Sequence, residues 1–441
     1  MIASAGCGVG LSTSAGTVPE AALASPVAVP VAAVSASDVE VKAKTRKKRS
    51  KSKRVKKRAQ RPHWDVDTRT RLTASGGTMD GKGSIDANAP LVSFGGSVRT
   101  RVDHSSFRLN LPLSVSHRET QGVALSETRA GSGLELEYRP SKRFRVGVSA
   151  KLAGAWRPDW PDQYQPLDDG TLQGSDRKSF WRRQTGAEVY GRPFGRHRLR
   201  AKYDYALIDY RQDPMFDAIE EPNHLVPSDH SRHSASLSWA YWARSWKLGA
   251  GVDGSWKNYD FAYARDAGTG RTNATSEMPN PLQRIRDIEP NVEVEIELWN
   301  DRLELELGYG YEIVDDLYQG YYSYTGHHPE LRITFQPSPA WQLRASSELR
   351  WRRYGPNSYA EGSNHPALRY GDRRVDRKAA ADLKLSRKLS DTWGVFTAWE
   401  LDIRRTNFPN YVPNVFPSSS QYDINWDYEN WQLVAGIEFS R

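Results

Sequence analysis

The chain predicts an all-β fold: a closed antiparallel transmembrane β-barrel of about sixteen strands, preceded by a disordered N-terminal segment. Strict alternation is the first reason. From Val292 to Leu298 the order is Val-Glu-Val-Glu-Ile-Glu-Leu, and after Trp299-Asn300-Asp301-Arg302 it resumes as Leu-Glu-Leu-Glu-Leu from Leu303 to Leu307. Successive side chains of a strand point to opposite faces, so this period sets an apolar face against a polar one. A soluble sheet shows such a pattern in a few strands, whereas here it recurs along most of the chain with almost no helical periodicity between. The second reason is the regular exchange of short and long connections. The third is composition. A chain only 38% apolar carries 15 Trp and 21 Tyr, residues that collect where an apolar ring and a polar edge are both satisfied, at a membrane–water interface.

Mean hydropathy is −0.71, and no run approaches the roughly 18 apolar residues of a spanning helix. A barrel is not expected to show one, because only every second residue faces lipid. The single cysteine, Cys7, excludes an intrachain disulfide framework.

Residues 1–61 are a different material from residues 62–441. Positions 1–41 hold no Lys or Arg and are rich in Ala, Val, Ser, Gly and Pro, while positions 42–61 carry 13 of the 62 basic residues. Only Glu20, Asp38 and Glu40 are acidic in that stretch, so residues 62–441 hold 49 basic against 50 acidic groups. The basic balance belongs to the tail. A like-charge block repels itself and stays disordered. It reads as a solvated linker or as an arm held by polyanions; a nucleic-acid partner is not expected, because a barrel follows it. Val27 to Val34 is a weak apolar core and Val34-Ser35-Ala36 an acceptable cleavage site, but the basic n-region of a secretory signal is missing. Ser4-Ala5-Gly6-Cys7 resembles the end of a lipoprotein signal, with Ser where Leu is usual. An atypical export signal is the expectation.

Turn-forming residues punctuate the barrel. Arg139-Pro140-Ser141-Lys142-Arg143, Arg192-Pro193-Phe194-Gly195-Arg196, Ala243-Arg244-Ser245, Gln336-Pro337-Ser338-Pro339-Ala340 and Leu389-Ser390-Asp391 each separate a pair of alternating runs. Strands follow at 64–73, 92–103, 106–117, 131–140, 143–156, 180–192, 197–210, 233–243, 246–259, 285–299, 302–314, 327–337, 341–354, 374–389, 393–405 and 422–440. Longer polar segments lie between, near 157–178, 211–231, 260–284, 315–326, 355–372 and 406–421. The count is even and both chain ends fall beside the short turns, which places both termini in the periplasm.

Two strands gauge the membrane. Trp246 and Trp256 bound Leu248, Ala250 and Val252 on one parity, and Trp341 and Trp351 bound Leu343, Ala345 and Leu349. Ten residues at about 3.3 Å each, tilted about 40°, rise roughly 25 Å, the height of a lipid-facing band. These four Trp are the expected membrane girdle.

The opposite parity carries charge, and its members are the candidate site residues. One wall is acidic: Glu293, Glu295, Glu297, Glu304 and Glu306. A two-residue turn at Asn300-Asp301 would set Glu297 against Glu304 and Glu295 against Glu306, a like-charge arrangement that needs compensation. Other positions are basic: Arg198, Arg200 and Lys202; Lys247 and Lys257; Arg344, Arg350 and Arg352. Such walls either pair across the lumen and plug it, or line a wet channel whose transverse field orients polar solutes.

The final strand, Trp431-Gln432-Leu433-Val434-Ala435-Gly436-Ile437-Glu438-Phe439-Ser440-Arg441, resembles the C-terminal signal that outer-membrane proteins present to the barrel-assembly machinery, although Phe439 is third from the end. The resemblance is to bacterial outer-membrane β-barrels as a class. It implies an outer-membrane location, outer-membrane lipid and the assembly machinery as partners, and a channel for polar solutes or sugar polymer. Polysaccharide export is the leading expectation, by loose resemblance to exopolysaccharide export barrels of myxobacteria, with a periplasmic polysaccharide-export protein as a further partner. Trp156, Trp160, Tyr164, Tyr318, Tyr321, Tyr322 and Tyr324 are candidates for sugar contact. A general diffusion porin, or a non-conducting structural or adhesin barrel, is the alternative. Asp315-Asp316 and His327-His328 flank one connection, as in rim proteases, but nothing orders them into a nucleophile or metal site. Neither an enzyme, a cofactor nor a bound metal is expected.

Overall fold

The computed structural model describes residues 65–82, 87–120, 126–157, 160–166, 172–175, 179–211, 229–264, 280–300, 302–356, 373–406 and 428–441. The N-terminal segment, with Cys7 and the basic block 42–61, lies outside the described residues, as do most of the long connections. The strands are β1 (Asp65–Lys82), β2 (Ala87–Asp103), β3 (Phe107–Thr120), β4 (Glu127–Ser141), β5 (Phe144–Trp156), β6 (Trp160–Pro166), β7 (Leu172–Ser175), β8 (Phe180–Gly191) and β9 (His197–Tyr210). They continue as β10 (His230–Trp242), β11 (Trp246–Tyr263), β12 (Leu282–Leu298), β13 (Leu303–Asp316), β14 (Tyr324–Ser338), β15 (Trp341–Tyr354), β16 (Val375–Lys388), β17 (Trp393–Thr406) and β18 (Tyr428–Ser440). Sixteen of them close into one antiparallel barrel, each paired with its sequence neighbour, β5 pairing with β8, and β18 returning to β1. Among the described residues no helix is long and apolar enough to cross a membrane.

All sixteen expected barrel strands are present, with two corrections. β1 and β2 run nine and five residues further than the alternation indicated, pairing from Asp65 with Asp103 to Gly81 with Ala87. The added stretch, Ala74-Ser75-Gly76-Gly77-Thr78, lacks large apolar side chains, so it carries no hydrophobic signal; backbone pairing on both flanks holds it instead. The connection after β5, read as irregular, contains the separate hairpin β6–β7. Residues 422–427, expected in the last strand, lie outside the described residues.

Closure follows from pairing, not from a hydrophobic interior. Unpaired strand edges are untenable in lipid, and the β1–β18 ladder removes both of them, running from Arg71 with Ser440 to Lys82 with Glu429. Beyond it, Thr70 N–H donates to Arg441 O at 2.8 Å and Arg441 N–H donates back to Thr70 O at 2.9 Å. Both ends of the barrel chain therefore meet at the end that carries the short turns. The seam is tight enough to need glycine: a Cβ on Gly77 would collide with Leu433 O, and one on Gly436 with Ala74 O.

The outward face is apolar. Leu72, Leu113, Val148, Leu237, Val252, Leu307, Leu349, Leu383 and Ile437 all point away from the lumen and are exposed. At the short-turn end this face is rimmed by packed rings, among them Phe107 with Tyr138 at 4.9 Å, Tyr241 with Trp246 at 5.4 Å and Trp393 with Phe439 at 5.1 Å. Inside, Leu91, Ala398 and Val434, with Phe396 against them, form a small apolar cluster. Sixteen strands about 4.8 Å apart, tilted about 40°, give a circumference of roughly 100 Å and a radius of about 16 Å.

Candidate functional site: the charged inner wall

The β12–β13 hairpin builds the acidic wall. Its ladder sets Glu295 opposite Glu306 and Glu297 opposite Glu304, the two rungs the sequence spacing implies. The ladder ends at Leu298 with Leu303, the register expected of a turn centred on Asn300-Asp301; Trp299 and Asn300 take left-handed backbone there, with φ of 50° and 58°, and Asp301 lies outside the described residues. Cations from the neighbouring strands compensate some of the wall. Lys247 of β11 forms a short ion pair with Glu293 and one of 3.1 Å with Glu295. Arg332 of β14 reaches Glu306 at 2.7 Å and Glu330 at 2.8 Å. Glu304 has no ion-pair partner among the described residues.

The basic positions named from sequence divide into three groups. On β9, Arg200 pairs with Glu188 at 2.8 Å, Lys202 pairs with Asp204, and the Arg198 guanidinium lies 3.7 Å over the Trp242 ring. On β15, Arg350 contacts Glu348 and, at 3.4 Å, Glu312, which Arg352 also holds at 3.0 Å. Arg344 shares a rung with Lys384 of β16, a basic counterpart of the glutamate rungs, and has no ion-pair partner among the described residues. Lys257 shares a rung with Arg232.

Sequence reasoning missed the wall that faces the glutamates. In the closed order, β2 and β3 lie eight strands from β12 and β13, across the lumen. β1, β2 and β3 present Arg69, Arg71, Arg99, Arg101 and Arg108 on the inner parity near the same short-turn end. They are partly compensated: Arg108 meets Asp103 at 2.8 Å, Arg69 meets Asp67 at 3.0 Å and Arg71 meets Glu438 at 2.8 Å. Arg69, Arg99, Arg101 and Arg108 line a cavity of about 250 Å³ with Asp67, Asn110, Glu135 and Glu137. The signal was present as Arg69-Thr70-Arg71 and Arg99-Thr100-Arg101. What alternation could not show was which wall lay opposite.

The four tryptophans expected to form a girdle sit on the outward parity. Trp246, Trp256, Trp341 and Trp351 are 38–54% exposed, and Leu248 and Val252 lie between the first two on the same face.

The aromatic and catalytic readings fare differently. Trp156 stands on the lipid-facing parity and is exposed there, so it cannot contact a solute in the lumen. Tyr321 is 2% exposed and packs edge-on against Tyr322 at 5.0 Å. Tyr324 turns inward beside Tyr354 at 5.1 Å, with the Arg352 guanidinium 4.8 Å over its ring. The side chains of Trp160 and Tyr164 lie outside the described residues. Asp315 pairs outward with Arg286 at 2.6 Å, whereas Asp316 turns inward and accepts from the Tyr318 and Tyr322 N–H groups. His327 contacts the Tyr309 hydroxyl at 2.7 Å on the outer face, and His328 points inward. His327 and His328 share rungs with Tyr311 and Gly310, four and six residues along β13 from Asp315 and Asp316, so the two dipeptides do not come together. Outside the spanning strands, burial together with Asp209 and Asp260 holds the Asp229 carboxyl above its usual range, while the hydrogen bond from Lys388 holds that of Asp391 below it.

The architecture is that of a bacterial outer-membrane β-barrel. No protein-family model matches the chain, and no curated protein matches it. Solved structures resemble it in fold. A loop L8 deletion mutant of OmpT, an outer membrane protein of Vibrio cholerae, shares 10% identity over 86% of this chain and 99% of its own, with a TM-score of 0.44. OccAB1 of Acinetobacter baumannii shares 10% over 85% and 96%, with a TM-score of 0.46. The copper transporter OprC shares 10% over 86% and 81%, with a TM-score of 0.39. Likeness at this level says nothing of cargo.

Proposed function

We propose that residues 65–441 form an aqueous channel for polar solutes across the outer membrane, with both chain termini in the periplasm. The observation that carries this reading is the segregation of inner charge: glutamate rungs on β12–β13 and arginines on β1–β3, six to eight strands away. Directly opposed carboxylates cost stability, and solvent and counterions lower that cost, as expected of a wall facing water. Across a low-dielectric bore such walls set a transverse field that aligns dipolar solutes. A wall of about 16 Å radius is the size at which barrels leave an aqueous channel. The short turns at one end and long connections at the other support the orientation.

Polysaccharide export is the narrower form of this proposal. Barrel width and the basic block 42–61, which would meet an anionic polymer or a periplasmic partner, favour it; Trp156 and Tyr321 lend it nothing. Planar bilayers test the channel. Open steps on the order of nanosiemens are expected of a barrel this wide, and a silent barrel would favour a structural or adhesive role. Deleting the gene tests the cargo: unchanged surface polysaccharide would leave a diffusion porin.

A further inference from the structure

We propose that the inner wall of β12–β15 holds a binding site for a divalent first-row transition ion, ligated by His328 Nε2, Glu330 and Glu348. The imidazole is the first support. His328 is 7% exposed, and its Nε2 is buried without a hydrogen-bond partner. A lone buried ring nitrogen is costly unless something takes its electron pair or proton. The other nitrogen is engaged: Nδ1 lies 2.9 Å from Glu289 Oε1. A carboxylate on Nδ1 holds a proton there and frees Nε2 to give its electron pair to a metal ion, the arrangement by which proteins orient a metal-binding histidine.

Two more carboxylates converge on that lone pair. Glu330 Oε1 is 3.1 Å and Glu348 Oε1 is 3.3 Å from Nε2. Both lie within ion-pair distance of the nitrogen, and neither makes a well-aligned hydrogen bond with it. Ligands about 2.1 Å from one ion stand about 3.0 Å apart at octahedral angles and about 3.4 Å apart at tetrahedral ones. The observed separations fall in that interval. One imidazole with two carboxylates suits zinc or its first-row neighbours better than calcium or magnesium.

The surroundings orient the ligands. Arg332 holds the far oxygen of Glu330 at 2.8 Å, and Arg350 donates to Glu348 Oε1, the oxygen that faces Nε2. Gly310, on the rung facing His328, leaves the space that Glu289 occupies: a Cβ there would collide with Glu289 Oε1. Charge agrees. Glu306 and Glu312 join the network through Arg332, Arg350 and Arg352, so five carboxylates face three guanidiniums and the His328 ring, whose Nε2 proton a bound metal ion would displace. A dication balances the difference.

The test uses the full chain folded in detergent and zinc as the probe, with binding read by equilibrium dialysis and folding by heat-modifiable migration. One zinc per chain is expected. His328→Gln and Glu348→Gln should each bind at least tenfold more weakly, and Glu289→Gln about 10–100-fold more weakly through loss of orientation. His327→Gln, on the outer face, should bind as the parent does. Cobalt in place of zinc should give visible absorption that the His328 variant lacks. Should His328→Gln fail to fold, Glu330→Gln and Glu348→Gln carry the test. Zinc bound equally well by the folded His328 and Glu348 variants, or not bound by the parent, would overturn the assignment and leave a protonated imidazole among three carboxylates.

Discussion

Glu297 and Glu304 stand directly opposite each other on the inner face of the β12–β13 hairpin. The same ladder repeats the arrangement one inner rung further from the turn, with Glu295 and Glu306. Arg332 serves Glu306 and Lys247 serves Glu295, but no ion-pair partner reaches Glu304 among the described residues.

Relieving that repulsion should stabilise the barrel. Glu304→Gln keeps the shape and removes one of two facing charges, for a gain of about 0.2–1 kcal/mol. Urea unfolding followed by tryptophan fluorescence in detergent reads it, and the gain should shrink as salt screens the pair. A loss of stability at low salt would show that Glu304 has a compensating partner.

The facing walls should act on ions with opposite sign. Glu295→Gln with Glu306→Gln removes negative charge and should shift the reversal potential of a salt gradient toward anion passage. Arg99→Gln with Arg101→Gln, across the lumen, should shift it toward cations. Two shifts of the same direction, or none, would mean that ions do not pass between these walls.

Closure depends on close backbone approach at the seam. Gly436→Val places side-chain atoms where Ala74 O and the Phe396 ring already stand, the latter 2.8 Å from a Cβ. The ladder must open or bend, at a cost of about 1–3 kcal/mol or more, and the folded gel band should weaken. Gly191→Ala, where a Cβ meets nothing within 4 Å, is the control and should migrate as the parent.

Depth in the lipid should grade the cost of an outward charge. Val252 lies between Trp246 and Trp256 on the outer face. Val252→Arg should lose about 2–4 kcal/mol, and Trp256→Arg, nearer the interface, much less of its depth-dependent share. Equal losses would contradict the band bounded by these tryptophans.

By itself the sequence determined everything that follows from the parity of one strand. Alternation is imposed by the covalent chain, so Val292 to Leu298 announced a strand with carboxylates on one face, and the short turn after it fixed the facing of Glu297 and Glu304. The even number of strands and the outward tryptophans were legible for the same local reason. Where side chains carried no pattern, the reading stopped early: Gly76 and Gly77 extend β1 because two neighbouring backbones pair with them, not because of any apolar period. Only the closed barrel decided what stands across a bore or along four strands. Glu289, Glu312, His328, Glu330 and Glu348 are each an ordinary inward polar residue of a strand. They become one cluster because hydrogen-bond ladders set the registers of β12 to β15. The arginines of β1–β3 oppose the glutamates because β18 returns to β1, a contact between the two ends of the chain that no local pattern contains.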